Sequence, residues 1–312
     1  MITTGSRAKT GSAPLDDETS APACGACGGL TELEIGRPAS TYAPRGDYGI
    51  ATCTRCGSGR TVPVPRPDEL DAFYAREYKY DAHLLIAAEK RWRARHILET
   101  ALPTGAKRIL DVGCMYGYLL EEARRRGVRD AMGVELSAGA AKAAVANGLD
   151  VFCGSIQEFA ARAPGKFDLI VAQHVLEHVP DPSAFLSCAR ELLAPGGKVC
   201  LCVPNYDARA RKIFREAWGW YQVPVHLHHF GRTGLSRLLE ESGFTVDRTE
   251  RRGGDSLFVL MTLLQSVGKM PSSSGAKPPS ALGRAFVRTA STVLRPYYFV
   301  GDDELLVVAS PR

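Results

Sequence analysis

Four cysteines near the N-terminus are spaced as metal ligands. Cys24 and Cys27 form one Cys-x-x-Cys pair, and Cys53 and Cys56 form a second, with 25 residues between the two pairs. Each pair can present two thiolates from one tight turn, and two such turns together complete a tetrahedral site with no position left for substrate or water. We therefore predict a structural zinc ion on these cysteines, with disulfides or chance pairs as the alternative.

Two acids flank a glycine-containing turn in the middle of the chain. Asp111 ends one strand candidate, Gly113 and Gly117 follow it in the turn, and Glu135 ends the next strand candidate. Glycines let the backbone approach a ligand there, and an acid ending the second strand can accept hydrogen bonds from ribose hydroxyls. The turn lacks the three glycines of a dinucleotide site, and its acid would repel phosphate. These residues favour a ligand that carries a ribose and an ammonium group.

A His-x-x-Glu-His sequence at His174, Glu177 and His178 matches the pattern of inverted zinc proteases. It directly follows a buried strand candidate and precedes Pro180 and Pro182, so we expect it on a loop at the carboxyl edge of a sheet. Short motifs of this kind carry a high risk of false matches. We therefore interpret these residues as lining a substrate pocket, and not as a protease centre.

Alternating strand and helix patterns must position these groups. From Lys107 onward the strand candidates are 108–112, 131–135, 150–153, 168–172 and 198–203, separated by helical patterns that include 118–126, 138–147 and 182–193. This alternation predicts an α/β fold with a parallel sheet covered by helices. Further along, the pattern predicts a helix over 233–242 and strands over 244–249 and 304–309.

The expected domain order follows from these patterns and from shifts in composition. We predict a disordered tail at 1–22, a zinc-binding module at 23–66, a helical lead-in at 67–104 and an α/β domain at 105–312. An insertion at 256–297 separates the last two strands. It contains helical patterns at 256–267 and 282–294, joined by a Pro/Ser/Gly-rich stretch at 271–280.

Together these segments resemble the class I S-adenosylmethionine-dependent methyltransferases, and most strongly those with an N-terminal zinc knuckle, found in sugar and natural-product pathways. Besides the Asp111 turn, the matching segments are Gly133-Val-Glu-Leu-Ser137, the run from Phe167 to Pro182, Leu193-Ala-Pro-Gly-Gly197, Val203-Pro-Asn205, His226-Leu-His-His-Phe230 and Leu238-Leu-Glu-Glu-Ser-Gly-Phe244. The resemblance covers Cys24 to about Phe244 and includes a closing strand at 304–309. It implies a Rossmann-like seven-stranded, mostly parallel sheet with helices on both faces, a small N-terminal zinc-binding module, and S-adenosylmethionine as the cofactor.

The resemblance also implies roles for individual residues. The cofactor residues would contact the methionine end (Asp111, Gly113 and Gly117), the ribose (Glu135, with Leu136 next to it), the adenine (Ser155 and Ile156) and the sulfonium (Gln173 and His174). One of the arginines at 91, 93 and 95 would hold the methionine carboxylate, unless the three form a solvated helix face. Two residues depart from the family pattern: Met115 replaces a usual glycine, and Ser155 replaces a frequent aspartate.

The implied activity is methyl transfer to a hydroxyl of a small molecule, a sugar or a secondary metabolite. An alcohol acceptor must lose its proton, a task suited to histidine near neutral pH. In the family the segment at 226–229 reaches over the substrate pocket, so His226 is the first candidate for the base and His178 the second; packing is the alternative role. Three other functions stay open: carbon methylation of a nucleotide-linked keto sugar, methylation of ribosomal RNA through basic residues at 124–126 and 209–215, and a non-catalytic cofactor-binding role.

The composition limits the other classes of function. The 312-residue chain is 45% hydrophobic with a net charge of +5, an excess too small to indicate a nucleic-acid partner. No apolar run approaches the roughly 18–20 residues of a membrane span, and the first residues lack the apolar core of a secretory signal. The remaining cysteines, at 114, 153, 188, 200 and 202, occur among apolar residues and are interpreted as buried. We expect a cytoplasmic protein without a transmembrane segment, whose insertion packs against its own domain or a second copy of the chain.

Overall fold

The computed structural model describes residues 22–36, 38, 47–66, 68–70, 87–162, 165–266, 281–294 and 296–312. Parts of the predicted segments lie outside these residues. They include the tail, which is described only at residue 22, residues 37 and 39–46 of the zinc-binding module, residues 67 and 71–86 of the helical lead-in, and the Pro/Ser/Gly-rich stretch at 271–280.

The N-terminal module is a small antiparallel sheet that a strand from much later in the chain completes. β1 (Thr31–Ile35), β2 (Gly49–Cys53) and β3 (Gly59–Val62) pair in sequence order, and β9 (His228–His229) pairs with the open edge of β3. The sequence does not predict β9, because two residues are too few to show a periodic pattern.

A seven-stranded sheet forms the centre of the α/β domain. Its first five strands are β4 (Arg108–Val112), β5 (Asp130–Glu135), β6 (Asp150–Cys153), β7 (Phe167–Gln173) and β8 (Leu193–Pro204). The C-terminal strands β10 (Phe244–Arg252) and β11 (Glu304–Pro311) complete it, in the order β10-β11-β8-β7-β4-β5-β6. β11 runs antiparallel to both of its neighbours, and the other described pairs are parallel. The predicted Rossmann-like, mostly parallel sheet is confirmed.

Helices cover both faces of this sheet, as predicted. They are α1 (Ala87–Ala101), α2 (Tyr118–Arg125), α3 (Ala138–Ala146), α4 (Ile156–Ala160), α5 (Pro182–Leu192), α6 (Arg209–Phe214) and α7 (Arg232–Glu241). The central strand β7 shows the two faces. Leu169 and Val171 pack into a core that includes α1 and α2, whereas Ile170 and Ala172 pack into a core that includes α5 and α7. A strand that is buried on both faces has a nearly continuous run of apolar residues in its sequence.

Local sequence signals set the start of α5, which follows the His-x-x-Glu-His loop. The Asp181 carboxylate accepts a hydrogen bond from the Ala184 amide at 3.0 Å, and Pro182 occupies the first helical turn. Both features are typical of a helix N-terminus. The loop is therefore held between the buried end of β7 and a capped helix.

The segment between β10 and β11 is helical. It contains α8 (Ser256–Ser266), α9 (Ala281–Leu294) and a short α10 (Tyr297–Val300), which the sequence pattern does not predict. Among the described residues, the helices are too short or too polar to cross a membrane.

Four of the five cysteines outside the pairs are buried, but Cys153 is exposed. Its predicted burial is wrong. Cys153 ends β6, the edge strand of the sheet, whose side chains are exposed or half-buried. An apolar sequence context does not bury a residue at an uncovered sheet edge.

Candidate active site and metal centre

The four paired cysteines converge on one buried cluster. The Sγ atoms of Cys24 and Cys56 are 3.6 Å apart, as are those of Cys27 and Cys53. A tetrahedral site with Zn–S bonds of about 2.3 Å separates its sulfur atoms by about 3.8 Å, whereas a disulfide requires about 2.05 Å. The geometry is therefore consistent with a zinc site, and all four thiols are free of disulfides.

Two backbone amides lie close to sulfur atoms of this cluster. The amides of Ala26 and Arg55 each lie 3.4 Å from a sulfur atom, that of Cys24 and that of Cys53 respectively. Burial acts to raise the pKa of the Cys53 thiol, but hydrogen bonds from the backbone at Cys56 and Arg55 help to lower it to about 7. Thiolate is the form that binds a metal, so the turn favours the ligand form of Cys53.

The cysteine cluster packs directly against the α/β domain. A Cβ atom at Gly25 would overlap the imidazole of His228 in β9. A Cβ atom at Gly234 in α7 would overlap Ser58 and lie 3.2 Å from the Cys56 sulfur. Only glycine fits at these two positions, because neighbouring side chains lie where a Cβ atom would be. The two Cys-x-x-Cys turns hold the N-terminal module against β9 and α7.

The turn after β4 adopts the curvature that its glycines suggested, despite the methionine within it. Gly113 and Gly117 have φ angles of +73° and +81°, and Met115 also lies in the left-handed region with φ +49°. The Met115 amide donates a hydrogen bond of 2.9 Å to the Glu135 carboxylate, which also accepts one of 2.8 Å from the Ser137 amide. Glu135 therefore ties the turn after β4 to the turn after β5.

Asp111 is a buried acid at the end of β4. Burial raises its pKa to about 8, and the negative charge of Glu135 contributes in the same direction. A cationic ligand nearby would stabilise the ionised form of this carboxyl group. The electrostatics thus fit a positively charged group at this edge of the sheet.

The parallel register brings the predicted cofactor residues to one edge. Asp111 pairs with Gly133 of β5 and with Val171 of β7, and Glu135 pairs with Cys153 of β6. The turns that follow β4, β5, β6 and β7 therefore all lie at the carboxyl edge of the sheet. Ligands of open α/β sheets bind in the crevice outside this edge.

The adenine candidates and Leu136 are placed at two of these turns. Ser155 caps α4: its Oγ accepts a hydrogen bond from the Glu158 amide at 3.2 Å, and the Ser155 amide donates to the Glu158 carboxylate at 2.7 Å. Ile156 is buried, whereas Leu136 is 74% exposed. An exposed leucine beside Glu135 is apolar surface that a bound nucleoside could cover.

Gln173 and His174, the sulfonium candidates, end β7 in different environments. The Nε2 of Gln173 is buried and has no hydrogen-bond partner among the described residues. His174 has φ +53°, and its Nδ1 and Nε2 lie 3.3 Å from Glu177 and 2.8 Å from Glu304. Burial acts to lower the pKa of His174, but these two carboxylates raise it to about 9. The two carboxylates therefore favour the protonated form of His174, whose two ring nitrogens both lie near internal acids.

Arg93 belongs to the same internal network. Its side chain is 1% exposed, pairs with Glu304, and lies 3.4 Å from Asp255, which also contacts Lys90 at 2.5 Å. The solvated-face interpretation is therefore wrong for Arg93, whose charge is already neutralised by internal acids. The other two arginines of the helix pair with α2: Arg91 lies 3.1 Å from Glu121 and Arg95 lies 3.6 Å from Glu122.

The two candidate bases, His178 and His226, lie side by side. Their rings meet edge to face with centroids 4.6 Å apart. The Nδ1 of His226 lies 2.8 Å from the Trp220 carbonyl, and that of His178 lies 2.9 Å from the Val225 carbonyl. A carbonyl only accepts, so both Nδ1 atoms are protonated and both Nε2 atoms carry a lone pair. Burial lowers the pKa of both imidazoles, most strongly that of His226, so both are neutral near pH 7.

The other two histidines of this segment have packing roles. Burial lowers the pKa of His228 to about 4 and that of His229 to about 3. His228 packs against Gly25, and the Nε2 of His229 lies 3.1 Å from the Thr61 hydroxyl.

The basic residues considered for RNA contact are largely engaged with acids or carbonyls. Arg125 and Arg126 pair with Glu122, and the Arg124 guanidinium donates to the Gly148 carbonyl at 2.7 Å. Downstream, Arg209 pairs with Asp302 and Arg211 with Glu34. These pairings do not favour a phosphate-binding surface.

Sequence reasoning missed the internal partners of His174. Glu304 is fully buried at the start of β11, and Trp220 lies 5.1 Å from the His174 ring and stacks on Phe258 of α8. One signal was available: an acid at the first position of an otherwise apolar strand needs a buried cation as its partner.

Comparison with known proteins places residues 83–249, more than half of the chain, in a family described as a methyltransferase domain. Among curated proteins, the chain is similar to a ubiquinone biosynthesis O-methyltransferase of Chromobacterium violaceum, with 36% identity over 159 residues that cover 47% of this chain and 68% of the relative. The corresponding protein of Thiobacillus denitrificans is 34% identical over 162 residues, covering 48% and 69%.

A likeness of fold extends to solved structures. A chain in the complex between the Haloferax volcanii Trm112 methyltransferase activator and a methyltransferase superposes with a TM-score of 0.52 and 17% identity, covering 79% of this chain and 99% of that one. At that identity the comparison concerns the fold alone.

Proposed function

Because the chain belongs to the S-adenosylmethionine-dependent methyltransferases, we propose that it transfers the methyl group to a hydroxyl oxygen of a small molecule, a sugar or a secondary metabolite. The observation that carries the proposal is the pair His178 and His226, each held by a backbone carbonyl with an unprotonated Nε2. A hydroxyl acceptor needs a group that takes its proton during attack. The curated relatives described above are named as O-methyltransferases.

The cofactor site is proposed at the carboxyl edge of β4, β5, β6 and β7. Asp111, with Gly113 and Gly117, would hold the methionine end, Glu135 and Leu136 the ribose, Ser155 and Ile156 the adenine, and Gln173 and His174 would lie near the sulfonium. The raised pKa of Asp111 and the buried, unpartnered Nε2 of Gln173 support this fit. Bound there, S-adenosylmethionine supplies an activated methyl group, so the protein must mainly align the acceptor.

On the acceptor side, His226 is the proposed proton acceptor and His178 its neighbour. Burial lowers the pKa of both, so near pH 7 each is neutral and its Nε2 carries the lone pair that a proton acceptor needs. The indole of Trp220 lies beside His174 at the end of β7 and is a proposed wall of the acceptor pocket.

We further propose that the four cysteines hold a structural zinc ion. All four ligands come from the protein, so the metal has no open position for chemistry. Its role would be to keep the N-terminal module docked on β9, the strand that follows His226.

The test is methyl transfer from trideuteriomethyl S-adenosylmethionine to panels of sugars, aglycones and RNA, with products located by mass spectrometry. We expect a product labelled on oxygen. A product labelled on carbon, or labelled RNA alone, would overturn the proposal. The His226→Gln variant should bind cofactor as the parent does and lose turnover, while His96→Gln on α1 serves as a matched control.

A further inference from the structure

Glu177, His178 and His226 form a second cluster of potential metal ligands, separate from the cysteines. One ligand atom of each residue lies within 4.8 Å of one from each of the others. Glu177 and His226 are buried, and His178 is half-buried. We propose that these three residues bind a divalent first-row transition-metal cation.

The two imidazoles are oriented as metal ligands require. A ligating histidine usually donates its other N–H to a carbonyl or carboxylate, which fixes the tautomer and the ring orientation. His178 and His226 both do so, through Nδ1 to the carbonyls of Val225 and Trp220. Both therefore present Nε2 as an electron-pair donor, and the edge-to-face contact of the rings keeps the two close.

Glu177 supplies an acceptor that lacks a partner. Its Oε1 faces the Nδ1 of His174 at 3.3 Å, whereas its buried Oε2 has no hydrogen-bond partner among the described residues. A buried carboxylate oxygen without a partner raises the free energy of the folded protein, and a bound cation would lower it again.

The chain holds the three ligands on two segments that are tied together. The Glu177 carbonyl accepts hydrogen bonds from the amides of Leu227 and His228, at 2.8 Å and 3.1 Å. The loop after β7 and the segment that ends in β9 therefore cannot separate without breaking these bonds. A site built in this way is organised before the cation arrives.

The donor set defines the kind of cation. Two imidazoles and one carboxylate suit Mn²⁺, Fe²⁺, Co²⁺ or Zn²⁺ better than Mg²⁺ or Ca²⁺, and three protein ligands leave coordination positions open. This step rests on the proposed function: an acceptor hydroxyl bound at an open position would lose its proton more readily. A bound cation would occupy the Nε2 of His226, so His226 would then act as a metal ligand in place of the proton acceptor proposed above. The cation would promote ionisation of the acceptor hydroxyl, and its proton would pass to solvent.

Co²⁺ titration of protein whose four-cysteine site is kept filled with zinc tests the site directly. Visible absorption and calorimetry should show one further Co²⁺ per chain, with the weak bands of nitrogen and oxygen ligands and not the intense bands of thiolates. Glu177→Gln and His226→Gln should each weaken binding by more than the about 10–100-fold that loss of an outer partner costs. His96→Gln should bind as the parent does.

No Co²⁺ beyond the cysteine site, or unchanged affinity in both ligand variants, would overturn the inference. If His226→Gln fails to fold, His178→Gln and Glu177→Gln carry the same test, with circular dichroism confirming the fold. Binding is measured without turnover, so a missing O-methylated product would count against the proposed function alone. Turnover that survives selective removal of this second metal would count against its catalytic role alone.

Discussion

Thr61 donates a hydrogen bond of 2.5 Å from its hydroxyl to the carbonyl oxygen of His226, 165 residues later in the chain. The Thr61 amide also donates to the Leu227 carbonyl at 3.1 Å. Thr61 lies in β3 of the N-terminal module, so the candidate base is held from outside the α/β domain. The module therefore supports the proposed acceptor side of the site.

Replacement of the Thr61 hydroxyl tests this support. Thr61→Val keeps the shape of the side chain but leaves the buried His226 carbonyl without this donor, which costs about 1–3 kcal/mol. We expect that loss in urea unfolding, together with lower turnover and unchanged cofactor affinity by calorimetry. Thr54→Val, at an exposed turn of the same module, is the control. Equal effects of the two variants would exclude a specific role for the bond.

Loss of the proposed zinc should affect both stability and turnover. We expect Cys24→Ser to release about one zinc per chain and to lower the melting temperature, because the proposed metal would hold the module on β9 and α7. Cys153→Ser, at an exposed site, should stay within about 0.5 kcal/mol of the parent and keep its metal. Atomic absorption and thermal unfolding check both variants, and parent protein that contains no zinc would refute the metal assignment.

Cofactor affinity should depend on pH through Asp111. Its pKa of about 8 in the unliganded protein means that it is mostly protonated at pH 7. A cationic ligand favours the carboxylate, lowers this pKa on binding and therefore releases a proton. Affinity should rise by up to about tenfold per pH unit from pH 6 to 8 and level off above.

Calorimetry in two buffers of different ionisation enthalpy measures that proton directly. Asp111→Asn should bind more weakly at pH 8 and show a flatter pH profile. A parent profile that is flat between pH 6 and 8 would mean that the ligand does not meet this carboxylate.

The buried ion pairs of Arg93 should dominate the stability of the α1–β11 contact. Arg93→Met leaves the buried Glu304 without its main cation, whereas Asp255 keeps its pair with Lys90. Breaking a buried pair by removing one partner costs about 3–5 kcal/mol. Arg95→Met removes an ion pair whose arginine is mostly exposed and should cost about 0–1 kcal/mol. Urea unfolding followed by circular dichroism compares the two, and similar costs would contradict the assigned role.

Much of the fold was predictable because its signals are local. The Cys-x-x-Cys spacing needs only a tight turn, and the apolar run of β7 reports burial on both faces. Asp111 and Glu135 end parallel strands, so their meeting at one edge follows from the strand pattern. Local signals gave a wrong prediction at Cys153, because its neighbours along the chain do not show that β6 is an edge strand.

The amino-acid sequence alone thus determined the α/β sheet, the four-cysteine cluster and the edge where the candidate cofactor residues gather. Only the tertiary structure showed that β9 joins the N-terminal sheet, that Arg93 is an internal ion-pair partner, and that His178 and His226 both direct Nδ1 to carbonyls. These features depend on contacts between residues far apart in the chain. The local pattern of residue types does not predict which carbonyl or acid a side chain will contact in the folded protein.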